Sequence, residues 1–306
     1  MIDFQRYYDE KILQLRVVCR SQWEYLNFSD LTDWIEDNFG NDIEGKYYAI
    51  KILLNTLYYK KKDLESLLKY GLYEKIYGEI IKEEFVSKSN IYIGHSQSLS
   101  MVEKLKDSTF FIPLLDSDLP CESGNPLIGD LVHKLNISTS QVSFHWDLKE
   151  EKFKNISTLV IVDDCAGSGN QIRRFWNSNS MKRIKQICIE KNIAVYFLLL
   201  LGYDVSIDKL RKSNQFENIN IVVCEILTDK NRIFSESNIL WDRETDEREL
   251  AIAYFEKIRK ERGVSFLGFQ RLDFAVILNN RLPNWSLPIF WKESPSWKNL
   301  IKRKTS

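Results

Sequence analysis

Two acids and a small-residue turn carry the chemistry of this sequence. Asp163 and Asp164 follow the apolar run Leu159-Val160-Ile161-Val162, and after them come Cys165-Ala166-Gly167-Ser168-Gly169-Asn170-Gln171. Gly167 and Gly169 let a backbone approach an anion closely and take up positive φ. Ser168 adds a hydroxyl donor, and the free N–H groups of a helix beginning at Asn170 and Gln171 would complete an anion cradle. The carboxylates themselves repel phosphate but suit hydroxyl donors, of which a ribose 2′,3′-diol offers two. Each such bond to a charged partner contributes about 1.5–3 kcal/mol. Consecutive strand side chains point to opposite faces, so both acids reach one sugar only if the strand is already turning into its loop there. The chemistry expected is recognition of a ribose 5-phosphate by Asp163, Asp164 and the main chain from Ala166 to Gln171. The plainer reading is a solvated loop after a buried strand.

Other readings of the segment fit less well. A dinucleotide fingerprint needs a third small residue where Ile172 stands, with its acid after the loop instead of before it. No Gly-Lys-Ser/Thr follows for a phosphate-binding P-loop. Gly167-Ser168-Gly169 is not a G-x-S-x-G nucleophile elbow either.

The elements that must position this loop read as an α/β sheet. Apolar runs at 110–115, 159–162, 195–201 and 219–223 lack alternation, as strands buried on both faces do. Helical patterns at 125–136, 170–190, 205–213 and 243–261 lie between or after them. Strand alternating with helix predicts an open, mainly parallel sheet flanked by helices over residues 106–306. Residues 1–105 read as a helical module. Tyr47, Ile50, Leu54, Leu57 and Tyr58 recur at helical spacing, as do Leu64, Leu67, Leu68, Leu72 and Ile76. Asp63 is placed to cap the second helix and Lys60, Lys61 and Lys62 to end the first. The aromatics Trp23, Tyr25, Phe28, Trp34 and Phe39 read as packing.

Bulk properties narrow the class. Lys and Arg number 43, as do Asp and Glu, so no global nucleic-acid footprint exists. The basic tail Lys302-Arg303-Lys304 reads as a solvated end. No apolar run nears membrane-spanning length, and the start of the sequence shows no export signal. The five cysteines are widely spaced without a CxxC pair and the three histidines form no metal-spaced pair. These features predict a cytoplasmic protein without a disulfide framework, a dedicated metal site or a membrane partner.

The 159–169 segment resembles the phosphoribosyl pyrophosphate signature of type I phosphoribosyltransferases, an apolar strand, Asp-Asp, variable residues, then hydroxyl or small residues and Gly. Asp163, Asp164, Ser168 and Gly169 match it. Asn170 and Gln171 depart from it, standing where that family carries a small residue and Thr. The resemblance implies a phosphoribosyl pyrophosphate or nucleotide ligand, with Mg²⁺ bridging diphosphate and sugar if the protein is active. It also implies a pyrophosphate loop after the first core strand, where Ser123-Gly124-Asn125 stand; a plain capping loop is equally compatible. The segment Asn280-Arg281-Leu282-Pro283-Asn284-Trp285-Ser286-Leu287-Pro288-Ile289-Phe290-Trp291 resembles one in phosphoribosyltransferase-like proteins of prokaryotic conflict systems, including retron anti-phage loci. That resemblance implies a role in defence, with a protein or nucleoprotein partner. From the residues alone, Trp285 and Trp291 read as core packing or as base-stacking rings.

Three functions follow: transfer or hydrolysis at the anomeric carbon of a ribosyl phosphate, a catalytically inactive nucleotide-sensing subunit, and a protein-interaction subunit with an empty pocket. Only residues 136–158 are available for a closing lid, which favours the second over the first. His145 reads as an acid/base or as a packed ring, and Arg173 and Arg174 as phosphate contacts or a solvated face. Adjacent carboxylates at a buried strand end argue against the third.

Overall fold

A computed structural model describes residues 3–87, 94–115 and 124–303. In chain order the first elements are α1 (Phe4–Gln22), α2 (Phe28–Phe39), α3 (Ile43–Leu54), β1 (Leu57–Tyr59), α4 (Lys61–Tyr70), a π-helix (Gly71–Gly78), α5 (Glu79–Ser87) and α6 (His95–Asp107). Then follow β2 (Thr109–Pro113), α7 (Gly124–Leu135), β3 (Thr158–Ala166), α8 (Asn170–Asn177), α9 (Asn179–Glu190), β4 (Ala194–Tyr203), α10 (Asp204–Arg211), β5 (Ile219–Leu227), α11 (Glu247–Arg262) and β6 (Val276–Leu278). None of the described helices is long and apolar enough to cross a membrane.

The chain forms two compact units, residues 1–63 with 227–305, and residues 64–226. The boundary expected near residue 105 therefore falls inside the second unit. In that unit α4 and the π-helix pack on the sheet. A Cβ on Gly71 would lie 2.5 Å from both Leu198 Cδ1 and Cys224 Sγ, so glycine permits this approach.

In the first unit, α1, α2 and α3 pack with α11 around a core rich in aromatic rings. Helix α2 starts with a capping box: Asn27 Oδ1 accepts from Asp30 N–H (3.1 Å) and Asp30 Oδ2 from Asn27 N–H (2.7 Å). Glu247, 1 % exposed, accepts Lys51 Nζ at 2.6 and 2.7 Å, Asp242 N–H at 2.7 Å and the Tyr47 hydroxyl. Burial first, then the hydrogen bond to Glu247, raises the Tyr47 hydroxyl far above its ordinary value. The C-terminal run is tied to α2, since Trp34 Nε1 (3.1 Å) and Asn38 Nδ2 (3.0 Å) both donate to the Lys298 carbonyl.

One expectation fails here. Leu57 and Tyr58 do not extend the helix of Tyr47, Ile50 and Leu54. Asn55 closes α3, and Leu57–Tyr59 pairs in parallel with Val276–Leu278. Tertiary strand pairing outweighs a helical periodicity that otherwise continues. Lys60 thus follows a strand, and Lys61 and Lys62 open α4 instead of ending α3. Asp63 lies inside the first turn of α4, where its Oδ2 accepts the Lys60 N–H at 2.9 Å.

The second unit carries the expected open sheet, in order β2-β3-β4-β5, with β2–β3 and β3–β4 parallel. Leu159, Ile161, Phe197 and Leu199 share one buried cluster with Ile172, Phe175 and Trp176 of α8, Met181, Ile184 and Ile187 of α9, and Leu210 of α10. The intervening Phe111, Val160, Val162 and Leu198 are buried as well; α7 contacts β2 and β3, and the π-helix contacts β4. Helices therefore cover both faces, which explains strands without alternation. The single helix expected over 170–190 is two, broken at Ser178, whose backbone is extended (φ −65°, ψ 155°).

Candidate functional site

Strand β3 brings the acids to the carboxyl edge of the sheet, the edge at which open α/β sheets bind ligands. Asp163 and Asp164 are 1 % and 4 % exposed. The strand remains extended through both: Asp163 pairs with Leu199, Cys165 with Leu201 and Ala166 with Gly202. The turn begins at Gly167, not at the acid pair as expected, because the ladder with β4 continues to Ala166. By alternation Asp163 belongs to the face of Leu159 and Ile161 and Asp164 to the opposite face. Asp163 Oδ1 accepts the Asp164 N–H at 2.9 Å, which orients that carboxylate along its own strand.

The turn is built for close packing. Gly169 has φ +73° and ψ 0°, the left-handed region, immediately before α8. A Cβ there would lie 2.9 Å from Leu210 Cδ1, so α10 and the turn approach as only glycine allows. Ser168 Oγ accepts the Asn170 N–H at 3.4 Å, which leaves its proton to donate elsewhere. Gly167 is buried, while Ser168, Asn170 and Gln171 are half-buried at the mouth of the turn. The first N–H groups of α8 have no acceptor within the helix. Arg173 donates through Nη2 to the Lys209 carbonyl of α10 (3.3 Å), and Arg174 is exposed.

Gly124, the first residue of α7, also lies at this edge. A Cβ on it would lie 2.9 Å from the Leu114 carbonyl oxygen and from Pro113 Cβ. Pro113 is the register partner of Val162, so β2 and β3 end on neighbouring strands about 4.8 Å apart. The structure thus brings Gly124 to the same edge as residues 163–171. Ser123 lies outside the described residues.

The other candidates are placed as packing. The His145 ring stands edge-on to Trp146 (4.6 Å) and Phe175 (5.1 Å). Trp285 is buried against Phe274 at 5.4 Å. Trp291 donates through Nε1 to the Ser286 carbonyl (3.2 Å), and the Arg303 guanidinium covers its ring at 4.9 Å. Ser286 is fully buried, and its Oγ bonds the N–H and carbonyl of Val276 and the carbonyl of Phe274 (3.1, 2.9 and 3.1 Å). The tail segment is framework for β6. Sequence reasoning missed Leu210, whose role appears only through the positive φ that Gly169 adopts above it.

Among the described residues no group of three or more His, Cys, Asp or Glu is placed to hold a metal. A hard divalent cation that binds through one or two carboxylates and substrate phosphates needs no such cage; Asp163 and Asp164 are the carboxylates at this edge of β3.

An open parallel sheet with an acid pair and a glycine turn at its carboxyl edge defines a phosphoribosyltransferase-like α/β protein. The PRTase-CE family model matches residues 31–303, and the chain belongs to that family. Among solved structures, the crystal structure of orotate phosphoribosyltransferase from Aeropyrum pernix is similar, at 14% identity over 44% of this chain and 72% of that one, with a TM-score of 0.26. No curated protein matches the chain.

Proposed function

We propose that this protein binds a ribose 5-phosphate ligand, phosphoribosyl pyrophosphate or a nucleotide, at residues 163–171. The observation that carries the reading is the direct passage from two buried acids into a left-handed Gly169 that opens α8. Because the pair lies on opposite faces of β3, one of the two carboxylates takes the ribose hydroxyls. The main chain from Ala166 to Gln171, with the Ser168 hydroxyl, takes the 5′-phosphate, and Gly124 at the start of α7 lies where a diphosphate would extend. Mg²⁺ would enter with the diphosphate and bind through a carboxylate of the pair.

A second reading, a nucleotide-sensing subunit without turnover, has its own support. The stretch between α7 and β3 is three short 3-10 turns, Thr139–Gln141, His145–Asp147 and Glu150–Phe153. It is tied down by Gln141 Nε2 to the Thr109 carbonyl (3.2 Å) and by Glu150 to Arg183 (2.6 Å). A tethered stretch suits recognition better than the closing and opening of a catalytic lid. Calorimetric titration with phosphoribosyl pyrophosphate and Mg²⁺, with product assayed in the same sample, separates the readings. Binding with turnover gives the transferase or hydrolase, binding alone gives the sensor, and no binding removes both. We further infer, from the resemblance of the tail alone, a role in anti-phage defence. Phage plating on cells with and without the intact locus tests it, and equal plaque counts would remove it.

A further inference from the structure

Beside the proposed ribose site lies a pair of exposed rings to which that reading gives no task. Phe144 and Trp146 are 38 % and 44 % exposed and stack on each other with centroids 4.9 Å apart and planes 5° from parallel. Val142 pairs in parallel with Phe111 at the free edge of β2, and the Ser143 N–H donates to the Phe111 carbonyl at 3.2 Å. Phe144 continues extended (φ −82°, ψ 150°) and so comes level with Pro113, the register partner of Val162. It therefore stands beside the residue preceding Asp163, two strand spacings away, or about 10 Å. The rings are held from beneath, since His145 wedges between Trp146 and Phe175 of α8, the helix that starts at the glycine turn.

We propose that the outer face of the Phe144–Trp146 stack receives the base of a nucleotide whose ribose 5-phosphate occupies residues 163–171. This rests on the ribose reading above and adds to it the part of the ligand that distinguishes nucleotide from phosphoribosyl pyrophosphate. Every base has a π-face, and stacking on a fixed aromatic surface is tolerant of base identity. Holding the rings before the ligand arrives lowers the ordering cost of binding. The rings are exposed on the segment that flanks β2, two strands from the acids, so base and ribose of one ligand would lie on adjoining parts of this sheet.

The test compares phosphoribosyl pyrophosphate with the four nucleoside 5′-monophosphates, by calorimetry, on wild type, Phe144→Ala, Trp146→Ala and Trp146→Phe. The alanine variants are expected to weaken monophosphate binding roughly five- to a hundredfold while phosphoribosyl pyrophosphate, which has no base, changes by less than about twofold. Trp146→Phe keeps a ring and most of the affinity. Equal loss for both ligands would make the pair a support for the site instead of a base platform and overturn the proposal. Unchanged binding of both would overturn it too, leaving the ribose reading intact. Wild type that binds neither ligand would remove the ribose reading and this proposal together.

Discussion

Two segments of this chain look unusual in sequence, residues 159–171 and residues 280–291, and the structure gives them opposite parts. Each contains a serine beside a small or proline-punctuated turn. In the tail, Ser286 is buried and its hydroxyl is consumed by backbone groups of Phe274 and Val276. In the sheet unit, Ser168 is half-buried at the mouth of a turn, and its oxygen accepts one N–H at 3.4 Å. Unusual composition marks a constraint on the chain; where the polar groups end up decides whether that constraint is packing or recognition.

The largest effect is expected from Asp163→Asn with Asp164→Asn. Loss of the charge-assisted bonds that one carboxylate makes to the ribose hydroxyls is expected to weaken phosphoribosyl pyrophosphate binding by about a hundredfold, with the circular dichroism spectrum unchanged. Undiminished affinity would show that the acids do not hold the ribose.

Gly169→Ala comes next. It forces a side chain into φ +73° and places a Cβ 2.9 Å from Leu210 Cδ1. The backbone strain costs about 1–3 kcal/mol, which denaturant unfolding reads, and ligand affinity falls with it. Ser286→Ala is the counterpart in the tail. It strips the Val276 N–H of its side-chain partner and is expected to cost about 1–3 kcal/mol of stability while affinity stays at the wild-type value. A Ser286→Ala protein that is as stable as wild type but binds poorly would reverse the assignment of the two segments.

The smallest effect is pH-dependent and lies away from both segments. Burial pushes the Cys188 thiol up to about 12 from 9.0. Burial is also the largest cause at Cys224, raised to about 12 against the opposing effects of Lys75 and Gly71. The folded chain keeps these protons between pH 9 and 12 while the unfolded chain releases them. Their contribution to stability is therefore whole below about pH 9 and declines as pH rises toward 12. Urea unfolding at pH 8 and pH 10 should show the fall, and Cys188→Ala should flatten it.

Much of the sheet unit was legible because strands buried on both faces leave unbroken apolar runs such as Leu159–Val162. The place of the acid pair and its glycines, at the end of a buried strand and before a helix, was legible because an apolar run that stops at charged and small residues marks a strand end. The pairing of β1 with β6 was not, since three-residue strands carry no period and their partners lie at opposite ends of the chain. The break at Ser178 leaves only a faint trace in sequence, the five-residue step from Trp176 to Met181 between two stretches of ordinary helical spacing. Leu210 beneath Gly169, and Phe144 stacked on Trp146 beside β2, depend on tertiary proximity that local patterns do not encode.

Hydrogen exchange along the whole chain, with and without phosphoribosyl pyrophosphate and Mg²⁺, would read directly which of the two segments meets the ligand. Slowed exchange is expected at the amides of residues 164–172, where the turn and the start of α8 would grip the phosphate. Protection over residues 280–291 with none over 164–172 would contradict it.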